Sequence, residues 1–383
     1  PVLYQVKGCL SDICIVASHT MKCFILLCVL CSSLSVVRGQ NEAEREAKLF
    51  PLFNIIKFDN FPCSSSNREG VCLTSKECVK KNGTAFQGCA MGYGVCCAFN
   101  TTCDGITSEK STVFQNENYP RPETMANMAC IVKVRMNNPD ICQIRLDFDE
   151  LELLPPVEGL CEDGENIQVA ANNIMALGID KLCGKLSGQH IYLHFSRSLQ
   201  PSAVHIMLRT RGGASNVWKI RINQIDCSRQ ADDYLRAPEG CLQYYSEPMG
   251  FIRSFNFDSS DKTSYLAENN YMMCIRRPVS SQCVEYMSNK ISLVEGVSTS
   301  CTDLPITGFL PKTQYTDYLI IQNDVNPSLF CGLAEGFQNV PGPATTSIRN
   351  SGPGPYQLRF LTDKTALNDR GGFEIKYLVR DIC

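Results

Sequence analysis

The chain has 383 residues, 44% of them hydrophobic, and a formal net charge of −3 at pH 7. This length is sufficient for two or more hydrophobic cores, and the small negative charge speaks against a nucleic-acid partner, which would require a basic surface. The most informative count is 23 cysteines.

An apolar segment near the N-terminus predicts secretion. It begins at Met21 and continues as the apolar run 23–37. The alternative is a membrane anchor, but the run is shorter than the about 20 residues that a spanning helix needs. Val37-Arg38-Gly39 has the small residues of a cleavage site. We therefore predict a signal peptide over 21–39, a mature chain starting at Gln40, and no membrane span.

Two stretches flank the predicted signal. Residues 1–20 precede it and are expected to be translated leader, not mature protein, because a signal peptide is normally N-terminal. Residues 40–62 follow it as an N-terminal tail. Five cysteines precede Gln40, and the 18 that remain are an even number, so every thiol of an exported chain can close into a disulfide.

Two Asn-x-Thr sequons agree with an extracellular location. They begin at Asn82 and Asn100 and lie in polar segments. Sequons of this kind accept N-linked glycans in secreted proteins. Both asparagines are therefore predicted to be glycosylated.

Six cysteines crowd residues 63–97. A zinc site would favour paired C-x2-C knuckles or cysteine with histidine, and this segment has neither. It also lacks a redox C-x-x-C pair. We expect disulfides, and the spacing alone leaves their connectivity open. The six are Cys63, Cys72, Cys78, Cys89, Cys96 and Cys97.

The remaining twelve cysteines fall into two groups of six with similar spacing, over 103–227 and 241–383. Each group closes on a similar strand, WKIRINQIDC and FEIKYLVRDIC, and the polar segment 228–240 marks a linker between them. This repetition predicts one architecture used twice. The cysteines are Cys103, Cys130, Cys142, Cys161, Cys183 and Cys227, then Cys241, Cys274, Cys283, Cys301, Cys331 and Cys383.

Short runs that alternate apolar and polar residues recur through both groups. CQIRLDF, AVHIMLRT and YQLRFL are examples, and Gly- and Pro-rich turns separate them. Strict alternation indicates half-buried strands. We predict an all-β chain with two disulfide-bonded antiparallel β-sandwiches in tandem, preceded by a small cysteine-rich module. The Gly/Pro-rich segment 341–355 is predicted to be a protruding loop.

The two sandwiches resemble CUB domains, which are jelly-roll sandwiches. The first carries Asn118-Tyr119-Pro120 and Cys183-Gly184; the second carries Asp317-Tyr318-Leu319, Cys331-Gly332 and Gly372-Phe373. The phrases SNVWKIRINQIDC and RAPEGCLQYYSEPMGFIRSFNFD look like secreted arthropod CUB-containing proteins. The module at 63–97 is similar to a clip domain, whose six cysteines end in a vicinal pair.

These resemblances imply a disulfide pattern. Clip likeness pairs Cys63 with Cys96, Cys72 with Cys89 and Cys78 with Cys97. CUB likeness implies the pairs Cys103–Cys130, Cys161–Cys183, Cys241–Cys274 and Cys301–Cys331. The pairs that remain are Cys142–Cys227 and Cys283–Cys383.

CUB likeness also implies a calcium site in the second sandwich, since many CUB domains bind calcium through one Glu and two Asp. The matching residues are Glu295, Asp317 and Asp363; the alternative is that they are ordinary loop carboxylates. In the first sandwich Glu152 and Glu165 match, but FSRSLQ at 195–200 offers no Asp. We expect no calcium there, and no other cofactor.

Catalysis is not expected, although clip domains often precede serine proteases. A protease needs a serine nucleophile, a histidine base and an orienting acid. The mature chain offers only His190, His194 and His205, and the nearest nucleophile candidate is Ser187. His190 and His194 share one strand face and are predicted to face solvent, as are the basic residues around Arg209 and Lys219. Those basic residues could alternatively contact anionic glycans or proteins.

The pattern therefore predicts a secreted, non-enzymatic protein that binds extracellular protein or glycan through loops on rigid sandwiches. Clip likeness implies a setting near extracellular proteolytic or immune cascades. Two alternatives remain open: a non-catalytic regulator or inhibitor of an extracellular protease, and a structural component of matrix or cuticle.

Overall fold

In a computed structural model, the secondary structure of the described residues consists mainly of β-strands, with very little helix. Within the described residues, no helix is long and apolar enough to cross a membrane. The predicted leader and signal peptide, Glu295, Cys301 and Cys331 lie outside these residues. Described are residues 58, 60–65, 68–125, 127–162, 165–171, 178–195, 200–211, 216–293, 317–322, 328–330, 333–334, 337, 347–364 and 370–383.

The cysteine-rich module is a small sheet with strand order β1-β2-β4-β3 and one short helix. Thr74 starts the helix with a capping box: its hydroxyl accepts the N–H of Glu77, whose carboxylate accepts the N–H of Thr74. The elements are β1 (Pro62–Ser65), β2 (Arg68–Leu73), α1 (Ser75–Lys80), β3 (Thr84–Cys89) and β4 (Gly94–Ala98).

The first sandwich packs a sheet of order β10-β12-β8-β6 on a sheet of order β11-β9-β13-β7-β5. All ladders are antiparallel except the edge pairs β5–β7 and β6–β8, which are parallel. The strands are β5 (Asn100–Thr101), β6 (Ile106–Thr107), β7 (Ser111–Gln115), β8 (Met128–Arg135), β9 (Ile141–Glu152), β10 (Asn166–Ala171), β11 (His190–His194), β12 (Ala203–Thr210) and β13 (Val217–Asp226).

The second sandwich repeats this plan. Its sheets have the orders β14-β16-β22-β18-β19 and β15-β23-β17-β20, with β21 also paired to β17. The pair β14–β16 is parallel, as β6–β8 is in the first sandwich. The strands are β14 (Cys241–Tyr245), β15 (Met249–Arg253), β16 (Asn270–Ile275), β17 (Cys283–Ser292), β18 (Tyr318–Ile321), β19 (Ser328–Phe330), β20 (Leu333–Ala334), β21 (Ser347–Asn350), β22 (Tyr356–Leu361) and β23 (Gly372–Arg380).

The predicted all-β sandwich class is confirmed, and the closing strands show why. In β13, Trp218, Ile220 and Ile222 are buried, and in β23, Phe373, Ile375 and Tyr377 are buried. This period of two is the mark of a strand with one face on the core. Two details differ from the prediction: the three edge pairs are parallel, and part of the expected loop 341–355 is strand β21, which pairs with β17.

Disulfides fasten all three parts. Each one in the described residues joins two cysteines that the resemblances pair or leave as the remainder. Constraints of this kind lower the entropy of the unfolded chain and so stabilise the folded state by about 2–4 kcal/mol per bridge. The bonds are Cys63–Cys96, Cys72–Cys89, Cys78–Cys97, Cys103–Cys130, Cys142–Cys227, Cys161–Cys183, Cys241–Cys274 and Cys283–Cys383.

Candidate functional site

A buried carboxyl group lies at one end of the second sandwich. Asp317 immediately precedes β18 and is fully buried. Its Oδ2 accepts the hydroxyl hydrogen of Tyr265, and its Oδ1 accepts the N–H of Asp363 at 2.8 Å. Burial raises the pKa of Asp317 to about 7; the two hydrogen bonds act against this, and the nearby charge of Asp363 adds to it. The carboxyl is therefore poised between its neutral and charged forms at neutral pH.

The structure thus brings together two of the three predicted calcium ligands, Asp317 and Asp363, and Glu295 lies outside the described residues. Among the residues that the structure describes, no group of three or more His, Cys, Asp or Glu side chains is arranged to hold a metal. Two oxygen-bearing side chains, one of them buried and reluctant to ionise, fit a hard cation that would offset their charge.

The equivalent end of the first sandwich carries Glu165, which immediately precedes β10 and is also buried. Its Oε1 accepts the N–H of Leu154 at 2.7 Å and its Oε2 accepts the N–H of Arg211 at 3.3 Å. The Arg211 guanidinium forms an ion pair with Glu162. Glu152 is exposed on β9. In this sandwich the buried carboxylate therefore has a cationic residue of the chain beside it.

Strand register establishes that the two ends are equivalent. Asn166 pairs with Arg209 across β10 and β12, and Tyr318 pairs with Leu361 across β18 and β22. The residue that follows each pair on the second strand is a threonine, and the next is Arg211 in one sandwich and Asp363 in the other. Our sequence comparison was therefore wrong to seek the counterpart of Asp363 in 195–200.

The histidines lie in a different place, at the contact between the two sandwiches. Strand β11 is buried over its whole length, and the prediction that His190 and His194 face solvent is wrong. The Tyr244 N–H donates to His190 Nε2 at 2.9 Å, and His194 Nε2 lies 2.7 Å from the Cys241 carbonyl oxygen. We define the contact of β11 with β14 as the seam.

Hydrogen bonding sets the charge of both rings. His190 Nε2 accepts a hydrogen bond and so carries no proton. His194 Nε2 must donate to a carbonyl, while its Nδ1 faces the Gln143 amide nitrogen at 3.2 Å. Both imidazoles are therefore neutral in the seam. Burial lowers the pKa of both, and the Arg145 charge further lowers that of His190.

The predicted linker is fastened to the first sandwich. Gln143 donates to the Ala237 carbonyl at 2.7 Å and accepts the Ala237 N–H at 2.9 Å. Further along, Lys110 forms an ion pair with buried Asp232 at 2.7 Å. A second set of bonds joins loops of the sandwiches, including Gly159 N–H to Ser264 Oγ at 3.0 Å. The segment 228–240 is thus held against the first sandwich beside the seam.

The candidate nucleophile has a structural partner. Ser187 Oγ accepts the N–H of Leu151 at 2.9 Å, which satisfies a backbone group at the end of β9. The basic residues on β13 are not simply solvated: Lys219 lies 3.8 Å from Asp149, and Arg221 forms ion pairs with Asp149 and with Glu69 of the module. These basic side chains are partly exposed and are also paired with carboxylates of the chain.

Residues 238–380 match the family model for the animal CUB domain. The match spans the second sandwich, which is thus similar in sequence to an animal CUB domain.

Solved structures that this chain matches include the CUB1-EGF-CUB2 domains of rat MASP-1, at 12% identity and a TM-score of 0.25, over 73% of this chain and 100% of that chain. The corresponding region of human MASP-1/3 is 13% identical over 71% of this chain and 100% of that chain, with a TM-score of 0.26. The extracellular region of zebrafish Gpr126/Adgrg6 is 8% identical over 73% of this chain and 34% of that chain, with a TM-score of 0.26. No curated protein matches the sequence.

Proposed function

We propose that this is a secreted, non-catalytic protein that recognises an extracellular protein or glycan through the Asp317 end of its CUB domain, supported by calcium. The observation that carries the proposal is the buried Asp317 carboxyl, held by Tyr265 and lying beside Asp363. The disulfides and the CUB match support an extracellular setting.

Calcium would be held by Asp317 and Asp363, with Glu295 as the third acidic residue. When bound, the ion supplies positive charge that favours the ionised form of Asp317 and links the β18 end to the segment after β22. Carboxylate oxygens are the ligands that calcium prefers. The loops around the ion would then be ordered for contact with a partner.

Calcium binding is tested by thermal melting of the secreted protein in EDTA and in millimolar calcium. A ligand present at 100 times its dissociation constant stabilises the folded state by about 2.7 kcal/mol, which is a shift of several degrees. We expect a rise of about 4 °C or more for the wild type, the same rise for Glu152→Gln, and none for Asp317→Asn. Equal melting curves of the wild type with and without calcium would exclude the site.

Recognition is tested by affinity capture from the native extracellular fluid, followed by mass spectrometry and by direct binding to the purified partner. The wild type should bind a defined protein or glycan in calcium, and Asp317→Asn should bind it at least about 10-fold more weakly, a loss of about 1.4 kcal/mol. If the wild type and Asp317→Asn bind with the same affinity, the partner binds a surface other than the Asp317 end.

The cysteine-rich module favours a second candidate, regulation of an extracellular protease. Its six cysteines pair as clip likeness implies. A regulator of this kind should slow a target protease at stoichiometric dose without being cleaved. A matrix component, in contrast, should resist extraction by neutral buffer. A soluble protein that leaves protease rates unchanged would favour recognition alone.

A further inference from the structure

A cavity of about 890 Å³ separates the cysteine-rich module from the first sandwich. Its floor is the outer face of β7 and β13, with Gln115 and Lys219, and its wall is formed by β2 and β3, with Arg68 and Phe86. We define this space as the module cleft. Its volume lies in the range of about 300–1,000 Å³ that is typical of ligand sites.

Asn100, the asparagine of a sequon, lines this cleft. It lies on β5, where it pairs with Val113 of β7, and Val113 pairs in turn with Arg221 of β13. Register partners on neighbouring strands point to the same face of a sheet. All three residues line the module cleft, and Asn100 is exposed. A glycan attached to Asn100 would therefore begin inside the cleft.

We propose that the N-linked glycan of Asn100 occupies the module cleft and braces the cysteine-rich module against the first sandwich. The occupant is part of this chain's own covalent structure. Glycans are attached to the nascent chain before it folds, so a partly enclosed asparagine is no barrier to modification.

The lining has the chemistry that a sugar requires. Phe86 and Tyr119 are half-buried rings that offer apolar faces, while Gln115, Thr84 and Arg68 offer hydrogen-bonding groups to hydroxyls. Tyr119 is held in place, because its hydroxyl donates to Glu150 at 2.9 Å and the Lys219 ammonium lies 6.0 Å from its ring centre. A preset ring lowers the entropic cost of holding a saccharide.

The module is joined to the first sandwich in part by ion pairs between partly exposed groups. The side-chain contacts that join it to the first sandwich include the ion pairs Lys81–Glu109, at 2.7 Å, and Glu69–Arg221. Both involve partly exposed groups, and such pairs contribute about 0–1 kcal/mol each. A glycan packed between the two surfaces would add burial that these ion pairs do not provide.

Asn82 provides a matched control within the same module. It begins the other sequon, is exposed in the turn after α1, and is not among the residues that line the module cleft. Its N–H closes that turn by donating to the Val79 carbonyl at 3.0 Å. A glycan there would extend into solvent.

The experiment uses the full secreted protein, produced with uniform high-mannose glycans. The native protein is treated with an endoglycosidase that cuts between the two N-acetylglucosamines, and peptide mass spectrometry follows each site over time. We expect the Asn82 glycan to be released at least about 10-fold faster than the Asn100 glycan, a difference of about 1.4 kcal/mol in accessibility. Denaturation should make the two rates equal.

Two variants sharpen the result. Tyr119→Ala should raise the release rate at Asn100 several-fold and leave Asn82 unchanged, while Tyr119→Phe, which keeps the ring, should behave as the wild type. Asn100→Gln should lower the melting temperature by about 2 °C or more and Asn82→Gln should not. Equal release rates at the two sites in the native protein, or a wild-type Asn100 that carries no glycan, would overturn the proposal.

Discussion

The two sandwiches share one strand order but differ in charge at the end where a buried carboxyl precedes β10 and β18. In the first, Glu165 lies beside Arg211, and in the second, Asp317 lies beside Asp363. In both, the carboxylate accepts the N–H of that neighbour. The same backbone geometry therefore holds a carboxylate and a cationic residue in one sandwich and two carboxylates in the other.

This difference explains why calcium is expected in one sandwich only. Burial is the main cause of the raised pKa of Asp317, and the like charge of Asp363 adds to it. An added divalent cation offsets it. The first sandwich places Arg211 at this position, and its guanidinium pairs with Glu162, so one positive charge offsets the two acidic side chains there. The residue two positions after each strand pair, Arg211 or Asp363, is thus the difference on which the proposed calcium site depends.

The largest effect should come from pH in calcium-free buffer. The folded-state pKa of Asp317 is about 7, above the unfolded value of 3.8. The contribution of this group to the free energy of unfolding is therefore full below pH 3.8 and is lost as pH rises towards 7. Stability of the second sandwich should fall by about 2–4 kcal/mol between pH 4.5 and 7.5. Urea unfolding at several pH values measures this, and Asp317→Asn should remove the slope. Parallel slopes for both proteins would contradict the assignment.

The seam should respond to pH in the opposite direction. His190 has a folded-state pKa below its unfolded value of 6.5, so its contribution is present above pH 6.5 and is lost as pH falls below it. Protonation would leave the Tyr244 N–H unsatisfied, at a cost of about 1–3 kcal/mol. The hydrogen-exchange protection factors of β14, which correct for the intrinsic exchange rate at each pH, should fall at pH 5.5, and His190→Gln, which retains an acceptor, should reduce that change.

The groups that face these rings determine the size of the effect. Asp147 of β9 is the register partner of His190 on β11, and its carboxylate forms an ion pair with Arg145. The centre of the Tyr245 ring lies 4.9 Å from the centre of the His190 ring. Glu239 is the charged residue that favours protonation of His194. Protection factors of β14 that are the same at pH 7.5 and 5.5 would show that the imidazoles do not control the seam.

The smallest effect should come from exchanging the two neighbours. Asp363→Arg should make the second sandwich resemble the first, removing the calcium response while changing calcium-free stability by about 1 kcal/mol. Arg211→Asp should destabilise the first sandwich by a similar amount, since it also breaks the ion pair with Glu162. Calorimetry with calcium measures both. If Asp363→Arg still responds to calcium, Asp363 is not a calcium ligand.

Much of the fold was predictable because strands carry a local signal. The alternation in CQIRLDF and WKIRINQ places Ile144, Leu146, Ile220 and Ile222 in the core, as the structure does. The seam was not predictable in this way. His190 and His194 have the spacing of an outward strand face, and whether another domain covers that face depends on contacts distant in sequence.

The candidate site lies between these cases. Asp317 and Asp363 were selected by family resemblance, and the structure brings them together. The counterpart in the first sandwich was missed, although a signal existed: the segments AVHIMLRT and YQLRFLT both end in threonine, followed by Arg211 and Asp363. Aligning the repeats by strand end, instead of by cysteine, would have revealed the exchange of charge.

The paired hydrogen bonds between Gln143 and Ala237 have one more consequence. Because these bonds hold the segment 228–240, the two sandwiches have little freedom to move about a hinge. Little conformational entropy is therefore lost when a partner binds both of them. A bivalent partner that touches both halves meets them at a preset spacing, so its second contact forms at high effective concentration. The hydrogen bonds that hold the connecting segment would then raise the avidity for such a partner.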